Sequence, residues 1–326
     1  MKKSKSKKIF LALIVGSHLW LASPTEAQRV YHIGSLNSAD QFVNSFEGFK
    51  NRMAELGYVE GRNVRYDFYN AKGSDEALNS FAQKLVQDKV DLIVTSATSS
   101  TVAAAKATEG TNIPVVFLSA GNPQKLVKSF ASSGSNLAGI SSATLELTGK
   151  RFELFRELAP GIKRIAVFYN PKGVNYQASL MEIQDAAKKL GFTLLDVHAT
   201  NREEVVKVAP TVTRRKADGI YTAAEAVITG AIEAIVEQSI KERMPLVTAL
   251  LANVEKGCLA TYAADYFLLG QQGAILAEKI FKGIKPSDLP IELPSKFKLA
   301  INLKTAKAIG LKVPRELLLR ADEVIQ

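Results

Sequence analysis

The sequence predicts an α/β protein of two similar lobes, each with a parallel sheet that helices cover on both faces. Short apolar strands alternate with amphipathic helices along a chain of 326 residues, which is long enough for about two domains. An internal repeat supports the two lobes: Lys89-Val-Asp-Leu-Ile-Val-Thr-Ser-Ala97 matches Lys216-Ala-Asp-Gly-Ile-Tyr-Thr-Ala-Ala224, and Ile113-Pro-Val-Val116 matches Met244-Pro-Leu-Val247. Chance similarity between strand–loop–helix segments is the alternative.

The first half of the chain shows the alternation clearly. Phe42, Phe46, Phe49 and Met53 recur at three- and four-residue steps, which predicts a helix that Gly57 ends. By the same patterns we expect strands at 30–35, 64–69, 92–94 and 114–118, and helices at 77–87 and from 102 onward.

The second half repeats the pattern. We expect helices at 145–158, 178–190 and 205–214 and strands at 164–169 and 193–197; Pro210 should kink or split the third helix. Further on we expect a strand at 259–266, a helix at 267–281, a strand at 298–302 and a helix at 303–309. Crossings near 142–146, 263 and 290 would join the lobes by a three-segment hinge. The expected division is 28–145 with 263–289 for the N-terminal lobe and 146–262 with 290–326 for the C-terminal lobe.

The N-terminus has the pattern of an export signal. Residues 1–8 hold five lysines, an apolar run follows from Ile9 to Ala22, and small residues precede a cleavage site expected after Ala27. Removal of 1–27 would lower the formal charge from +10 to about +6. An uncleaved membrane anchor is the alternative. The single cysteine, Cys258, allows no intramolecular disulfide and lies far from any lipidation position, so we expect a soluble periplasmic monomer.

Sequence patterns for catalysis, cofactors and nucleic acids are missing. His32 and His198 stand alone, without the neighbours that a metal site needs. No Gly-x-Ser-x-Gly and no Gly-x-Gly-x-x-Gly occurs, and Gly149-Lys150 does not complete a phosphate loop. The lysines and arginines are scattered rather than arranged as a stripe. The sequence therefore predicts no metal, no cofactor, no nucleic-acid partner and no enzymatic activity.

Polar residues follow most of the predicted strands. In open α/β sheets, ligands bind beyond the carboxyl ends of strands, where helix N-termini favour anions. The stretch 92–101, a buried strand followed by hydroxyl residues and a helix, is the leading candidate, although an ordinary N-cap explains it equally simply. The full set of candidate ligand-binding residues is Ser35, Asn37, Asp40, Ser96, Ala97, Thr98, Ser119, Gly121, Asn122, Asn170, Asn175, Thr222, Glu225 and Asp265. Turn chemistry is the alternative for each.

Several segments resemble a known family. Gly57-Tyr-Val-Glu-Gly-Arg-Asn63, Lys89-Val-Asp-Leu-Ile-Val94 and the tail from Lys282 to Gly310 are similar to solute-binding proteins of the type I periplasmic-binding-protein fold that serve ABC importers, a group that includes tryptophan and tyrosine binders. The resemblance covers nearly the whole mature chain. It implies two Rossmann-like lobes that close on a small solute, an amino acid or a related carboxylate, and partners on other chains, an ABC permease and an ATPase.

The resemblance also implies roles for particular loops. Residues matching Ser96 to Thr98 would hold a ligand carboxylate, with Ser119 to Asn122 beside them and Asn170, Glu225 and Asp265 closing from the other lobe. The chain departs from its relatives at Glu225-Ala226 and at Ala249-Leu-Leu-Ala252, where acidic residues would pair an ammonium group. Glu225 and Asp265 remain as candidates for that pairing. A ligand-sensing periplasmic partner of a membrane receptor, or an exported α/β enzyme, are the alternative functions.

Overall fold

A computed structural model describes residues 29–326, so the predicted export signal lies outside the described residues. The first lobe contains a five-stranded sheet in the order β2-β1-β3-β4-β5, with every pair parallel. Its strands are β1 (Tyr31–Asn37), β2 (Val64–Asn70), β3 (Leu92–Ser96), β4 (Val115–Ala120) and β5 (Leu137–Ser141). Its helices α1 (Val43–Glu55), α2 (Asp75–Gln87) and α3 (Thr98–Ala107) connect successive strands. Each helix places its apolar residues toward the sheet.

The second lobe contains a seven-stranded sheet in the order β12-β11-β10-β9-β8-β6-β7. Its strands are β6 (Arg164–Tyr169), β7 (Thr193–His198), β8 (Gly219–Thr222), β9 (Leu246–Thr248), β10 (Ala260–Ala264), β11 (Phe297–Asn302) and β12 (Glu323–Ile325). The helices that follow are α4 (Thr148–Leu158), α5 (Tyr176–Leu190), α6 (Arg202–Val208), α7 (Ala226–Thr229), α8 (Ile232–Lys241), α9 (Ala252–Glu255), α10 (Tyr266–Phe281), α11 (Leu303–Ala308) and α12 (Arg315–Arg320). This sheet is not wholly parallel, because β11 returns from the first lobe and pairs antiparallel with β10.

The chain passes between the two sheets three times. It leaves β5 for α4, leaves β10 for α10 at Asp265, and returns to β11 after an extended segment. The last crossing comes later than 290, because the Glu292 N–H donates to Gly139 O (3.0 Å) and the Ser141 N–H donates to Glu292 O (2.9 Å). These bonds hold the extended segment on the edge of the first sheet.

The predicted elements agree with the structure where the apolar pattern is long. The helix predicted at 205–214 ends at Val208 and continues as one 3-10 turn over Ala209–Thr211, as Pro210 requires. Strands β5 and β12 and helices α7, α8, α9 and α12 have no counterpart among the predicted elements; most are too short to show a clear period. Within residues 29–326, no helix is both long and apolar enough to cross a membrane.

Helix α10 packs closely against α1 because two glycines lie at the crossing. A Cβ at Gly48 would lie 1.9 Å from Phe267 O, and a Cβ at Gly270 would lie 1.8 Å from Ser45 O. Both obstructing atoms belong to the backbone and cannot rotate away. The absence of side chains at these two positions therefore attaches α10, which follows a strand of the second lobe, to the core of the first.

We predict that Gly270→Ala separates α1 from α10 and lowers the free energy of unfolding by about 3 kcal/mol, the upper range for overpacking. Gly149→Ala is the matched control, because Gly149 also lies in a helix but its Cβ would meet no atom within 4 Å. That variant should be neutral or more stable by up to about 1 kcal/mol. Urea unfolding of the three proteins measures both changes, and equal midpoints would contradict the role of the crossing.

Candidate functional site

A cavity of about 420 Å³ lies between the lobes at the carboxyl ends of the parallel strands. Both lobes contribute to its wall, which contains polar backbone and side-chain groups together with an apolar part of similar extent. The residues of this wall include Phe42, Ala97, Thr98, Ser99, Ser119, Gly121, Leu145, Asn170, Gly173, Asn175, Glu225, Val227 and Tyr266. Its volume suits a small organic molecule.

The N-terminus of α3 forms one side of the cavity. Ala97 joins β3 to α3 in a single step, with φ 81° and ψ 159°, a conformation that costs a residue with a side chain about 1–3 kcal/mol. Because of this sharp turn, α3 begins at Thr98 rather than at Val102 as the sequence pattern predicted. The N–H groups of Thr98, Ser99 and Ser100 open the helix and have no intrahelical acceptor. They carry the positive end of the helix dipole.

Thr98 links three segments through its hydroxyl oxygen. Oγ1 accepts hydrogen bonds from the N–H groups of Gly121 (2.9 Å) and Asn122 (3.3 Å) and from Nδ2 of Asn175 (3.1 Å). Beside it, Ser119 Oγ accepts the N–H of Ala97 (3.2 Å). The Thr98 oxygen is the acceptor in each contact, and the long Asn122 contact shares a lone pair with a shorter one. The O–H proton of Thr98 therefore remains available to an anion in the cavity.

The lobes are closed over the cavity. Asn175 belongs to the second lobe and Thr98 to the first, so their hydrogen bond crosses the cleft. Lys125 Nζ crosses it as well, donating to Val174 O (2.6 Å), and Gln41 Nε2 donates to Thr229 Oγ1. Apolar contact between Phe42 and Leu250 adds to these bonds.

Glu225 presents a buried carboxylate to the cavity from the second lobe. The residue is 8% exposed, and neither Oε1 nor Oε2 has a hydrogen-bond partner among residues 29–326. Burial raises the pKa of Glu225 from 4.5 to about 7, opposed weakly by the Asn170 backbone N–H, which does not meet hydrogen-bond geometry. A Cβ at Gly173 would lie 2.3 Å from Oε2, so glycine makes room for the carboxylate. A buried carboxylate without a partner is costly, and a bound cationic group would remove that cost.

The apolar part of the wall centres on two aromatic rings. Phe42 and Tyr266 stack with their centroids 5.8 Å apart and their planes 21° apart, and Leu145 and Val227 also line the cavity. Burial raises the pKa of the Tyr266 hydroxyl, which keeps the phenol neutral. The wall therefore combines polar groups with a flat apolar surface.

Seven of the fourteen predicted site residues line the cavity: Ala97, Thr98, Ser119, Gly121, Asn170, Asn175 and Glu225. The other seven do not line it: Ser35, Asn37, Asp40, Ser96, Asn122, Thr222 and Asp265. Four of these lie in strands rather than in loops: Ser35 and Asn37 in β1, Ser96 at the end of β3 and Thr222 at the end of β8. Strands β1 and β3 run farther than the sequence pattern suggested.

Most of the side chains outside the cavity wall have structural partners. Asn37 Nδ2 donates to Ser35 Oγ (2.9 Å), Ser96 Oγ bonds Ser45 Oγ (2.7 Å), and Thr222 Oγ1 bonds Thr248 Oγ1 (3.0 Å). In an exposed position, Asp40 Oδ1 accepts a bond from Asn70 Nδ2 (2.7 Å). Asn122 is buried behind the wall, where its backbone N–H reaches Thr98. These contacts stabilise the strand ends that carry the site.

Asp265 has a different role from the one expected of it. Its Oδ1 accepts the N–H groups of Phe267 (3.0 Å) and Leu268 (3.4 Å), which caps α10, and its Oδ2 pairs with Lys298 Nζ (2.6 Å). An aspartate that already has a cation and two N–H donors offers little to a ligand ammonium group. Glu225 is left as the buried carboxylate of the cavity.

Several wall residues were missing from the sequence prediction. Phe42 belongs to the apolar face of the expected first helix, and Tyr266 was placed at the end of a strand. For Gly173, the sequence offered no indication of a site beyond the turn-forming residues around it. The position of Tyr266, directly after a strand end, is the one sequence feature that could have indicated it. Within 29–326, no group of three or more His, Cys, Asp or Glu side chains is arranged to hold a metal.

Proteins of known family that are similar to this chain agree with a ligand site between two lobes. The family model described as ABC transporter substrate binding protein matches residues 33–325. The chain belongs to this family. A curated relative, the tyrosine-binding protein of Clostridioides difficile, is 29% identical over 290 residues, which cover 88% of this chain and 83% of the relative.

Solved structures of similar proteins share the fold of this substrate-binding protein. A domain from Streptococcus pneumoniae in complex with L-Trp superposes with a TM-score of 0.83 at 27% identity, covering 91% of this chain and all of that chain. A ligand-free, open substrate-binding protein with adhesive properties from Clostridium difficile gives 0.68 at the same identity and coverage. A conserved domain protein from Vibrio cholerae gives 0.85 at 26% identity, with the same coverage. The higher score against the ligand complex than against the open form agrees with the closed cleft seen here.

We predict that Glu225→Gln makes the ligand-free protein more stable above neutral pH. In the folded protein the carboxyl group keeps its proton up to about pH 7, whereas the unfolded chain releases it near 4.5. Folding therefore takes up a proton between these values, and the contribution of Glu225 to the free energy of unfolding falls as the pH rises through that window. Glutamine removes this loss, so the variant should gain up to about 3 kcal/mol over the wild type above pH 7.

Denaturant unfolding of both proteins between about pH 4 and 9 measures this difference. Glu237→Gln, which alters an exposed glutamate of α8, is the matched control and should show no pH-dependent gain. A destabilised Glu225→Gln variant at pH 8 would show that the carboxylate has a structural partner and would contradict its role as a free acceptor.

We predict that Thr98→Val lowers the free energy of unfolding by about 1–3 kcal/mol, because the N–H groups of Gly121 and Asn122 would lose their acceptor. The two side chains have the same shape, so the change isolates the hydroxyl. Thr98→Ser keeps the oxygen and should stay within about 1 kcal/mol of the wild type. Thermal unfolding measured by calorimetry compares the three, and a valine variant as stable as the wild type would refute the linking role.

Proposed function

We propose that this protein binds an α-amino acid in the cavity between its lobes and delivers it to an ABC permease driven by an ATPase on other chains. The observation that carries the proposal is the buried carboxylate of Glu225, a residue of the cavity wall, which has no partner among residues 29–326. A ligand ammonium group would pair with it and remove the cost of its burial.

The opposite side of the cavity suits the ligand carboxylate. The N–H groups that open α3 and the hydroxyl protons of Thr98 and Ser99 are hydrogen-bond donors, and the helix dipole adds positive potential there. The donors lie on the first lobe and the carboxylate on the second, so the cavity has the charge arrangement that complements a zwitterion. A helix N-terminus alone would be weak support for an amino-acid site. Together with the buried Glu225 carboxylate, it specifies a ligand that carries both charges.

The side chain of the ligand would lie against the aromatic part of the wall. Phe42 and Tyr266 offer a flat apolar surface, and planar rings pack well in offset stacks. The relatives named for tyrosine binding and solved with L-Trp support this choice. L-Tyrosine and L-tryptophan are therefore the first ligands to test.

Several features of the proposal come from the sequence. Residues 1–27 would direct the chain to the periplasm as a cleaved signal, and the mature protein would act as a monomer. The site residues would bind and orient rather than react: among the described residues of the cavity wall, no nucleophile lies beside a general base. The solute would therefore be released chemically unchanged.

Titration calorimetry of the mature chain with L-tyrosine and L-tryptophan at about pH 8 tests the proposal. We expect one site and recovery of intact ligand after denaturation, verified by mass spectrometry. A ligand at about 100 times its Kd should add roughly 2.7 kcal/mol to the free energy of unfolding. Glu225→Gln should weaken binding by about 30-fold or more, because the ammonium would lose its buried counter-charge.

The control for this loss is Glu237→Gln, which should bind as the wild type does, since Glu237 is exposed on α8. Chemical conversion of the ligand would contradict the proposal. So would undiminished affinity in Glu225→Gln, because the observation that carries the proposal would then be irrelevant to binding.

A further inference from the structure

We propose that the cavity selects a primary ammonium group and rejects N-methylated amines, and that Asn175 is the residue that sets this selectivity. The inference rests on the proposed function and goes further, because it specifies the chemical class of the amine. It depends on a second residue of the cavity wall with an unpartnered acceptor atom, Asn175, to which the sequence pattern assigned no particular role.

The second lobe presents three buried acceptor atoms without partners among residues 29–326. They are Oε1 and Oε2 of Glu225 and Oδ1 of Asn175, and both residues line the same cavity. A single carboxylate could be satisfied by any cation, including a tertiary or quaternary amine. Three separate acceptor atoms require a group with several N–H donors, and a primary ammonium group has three.

The orientation of the Asn175 amide follows from its neighbour. Nδ2 donates to Thr98 Oγ1, whose oxygen also accepts the N–H groups of Gly121 and Asn122. A ligand carboxylate at the start of α3 would take the Thr98 O–H proton, since a charged acceptor forms the stronger bond. The contact with the Asn122 N–H is the longest of the three at 3.3 Å, so the two lone pairs of the Thr98 oxygen serve the Gly121 N–H and Asn175. The amide then places Nδ2 toward Thr98 and leaves Oδ1 for the ligand.

The loop that carries Asn175 also restricts the size of the amine. Asn175 precedes the first residue of α5, and the loop before it contains Gly173, where even a Cβ would lie 2.3 Å from Glu225 Oε2. Space beside the carboxylate is therefore limited on the loop side. An N-methyl group would remove one N–H donor, leave one buried acceptor unpaired and require room that the loop occupies.

The test compares L-tyrosine, N-methyl-L-tyrosine and 4-hydroxyphenyllactate, with the corresponding tryptophan series in parallel, by titration calorimetry at about pH 8. We expect N-methylation to weaken binding about 10-fold or more, since one charge-assisted hydrogen bond is lost. Replacing the ammonium with a hydroxyl should weaken it about 100-fold or more, since the Glu225 charge stays buried and unpaired.

Asn175→Leu removes Oδ1 and also the Nδ2 bond to Thr98, because leucine has nearly the same size but neither a donor nor an acceptor. Loss of the Nδ2 bond should weaken both ligands by the same factor, so the ratio of the two Kd values reports the contribution of Oδ1. This variant should lower affinity for L-tyrosine more than affinity for N-methyl-L-tyrosine, so that the ratio of the two Kd values falls toward 1. A merely structural effect would weaken both ligands equally. Asn175→Ala serves as the second variant if the leucine side chain prevents folding, which the melting curve shows. Asn51→Leu, on the exposed side of α1, is the matched control and should keep the wild-type ratio.

The outcomes separate this inference from the proposed function. If both primary amino acids bind and N-methylation has no effect, or if Asn175→Leu keeps the wild-type ratio, the selectivity assigned to Asn175 is wrong and the proposed function stands. If neither L-tyrosine nor L-tryptophan binds but 4-hydroxyphenyllactate does, both are overturned. Absence of binding by every primary amine of the series overturns the proposed function and, with it, this inference.

Discussion

The burial of the Glu225 carboxylate without a partner is the constraint on which the rest of the site depends. A carboxylate that is 8% exposed destabilises the fold unless it is protonated or paired, and its raised pKa shows the first response. The surrounding chain accommodates it by leaving Gly173 without a side chain at the point of closest approach. Such a cost persists in a folded protein when another requirement outweighs it, and binding a cationic group is the requirement that fits the position.

Asp265 shows by contrast what a structural carboxylate looks like in the same protein. It caps α10, pairs with Lys298 and fixes the second crossing between the lobes. Glu225 also stands directly before a helix, α7, yet its side chain forms no capping bond. Two acidic residues at comparable strand ends thus have opposite environments, one satisfied by protein groups and one facing the cavity. The hydrogen-bond partners of each carboxylate therefore distinguish a structural aspartate from a glutamate available to a ligand, which residue type alone does not.

Much of the fold could be predicted from the sequence, because long apolar periods and the repeat of Lys-apolar-Asp-x-Ile-x-Thr-x-Ala specify strands and helices locally. The site could be predicted only in part. Asn37 and Ser96 looked like loop residues because polar side chains near a strand end do not reveal where the strand stops. The early start of α3 depends on the strained conformation of Ala97, which an alanine in sequence does not suggest. Tyr266 lines the cavity because it follows the point where the chain crosses from the second lobe to the first. No local sequence pattern predicts that crossing.

Closure of the cleft and the proposed recognition of a zwitterion would have the same physical cause. The direct bonds between lobes are few, and each hydrogen bond contributes only about 1 kcal/mol net. A ligand shifts a conformational equilibrium only by the difference in its affinity for the two states. The start of α3 belongs to the first lobe and Glu225 to the second. A molecule with one charge would make its strongest contacts with one lobe alone, in the open form, and would therefore shift the equilibrium toward closure only slightly. A molecule that carries both charges gains the second set of contacts only when the lobes meet, and its binding energy then stabilises the closed form.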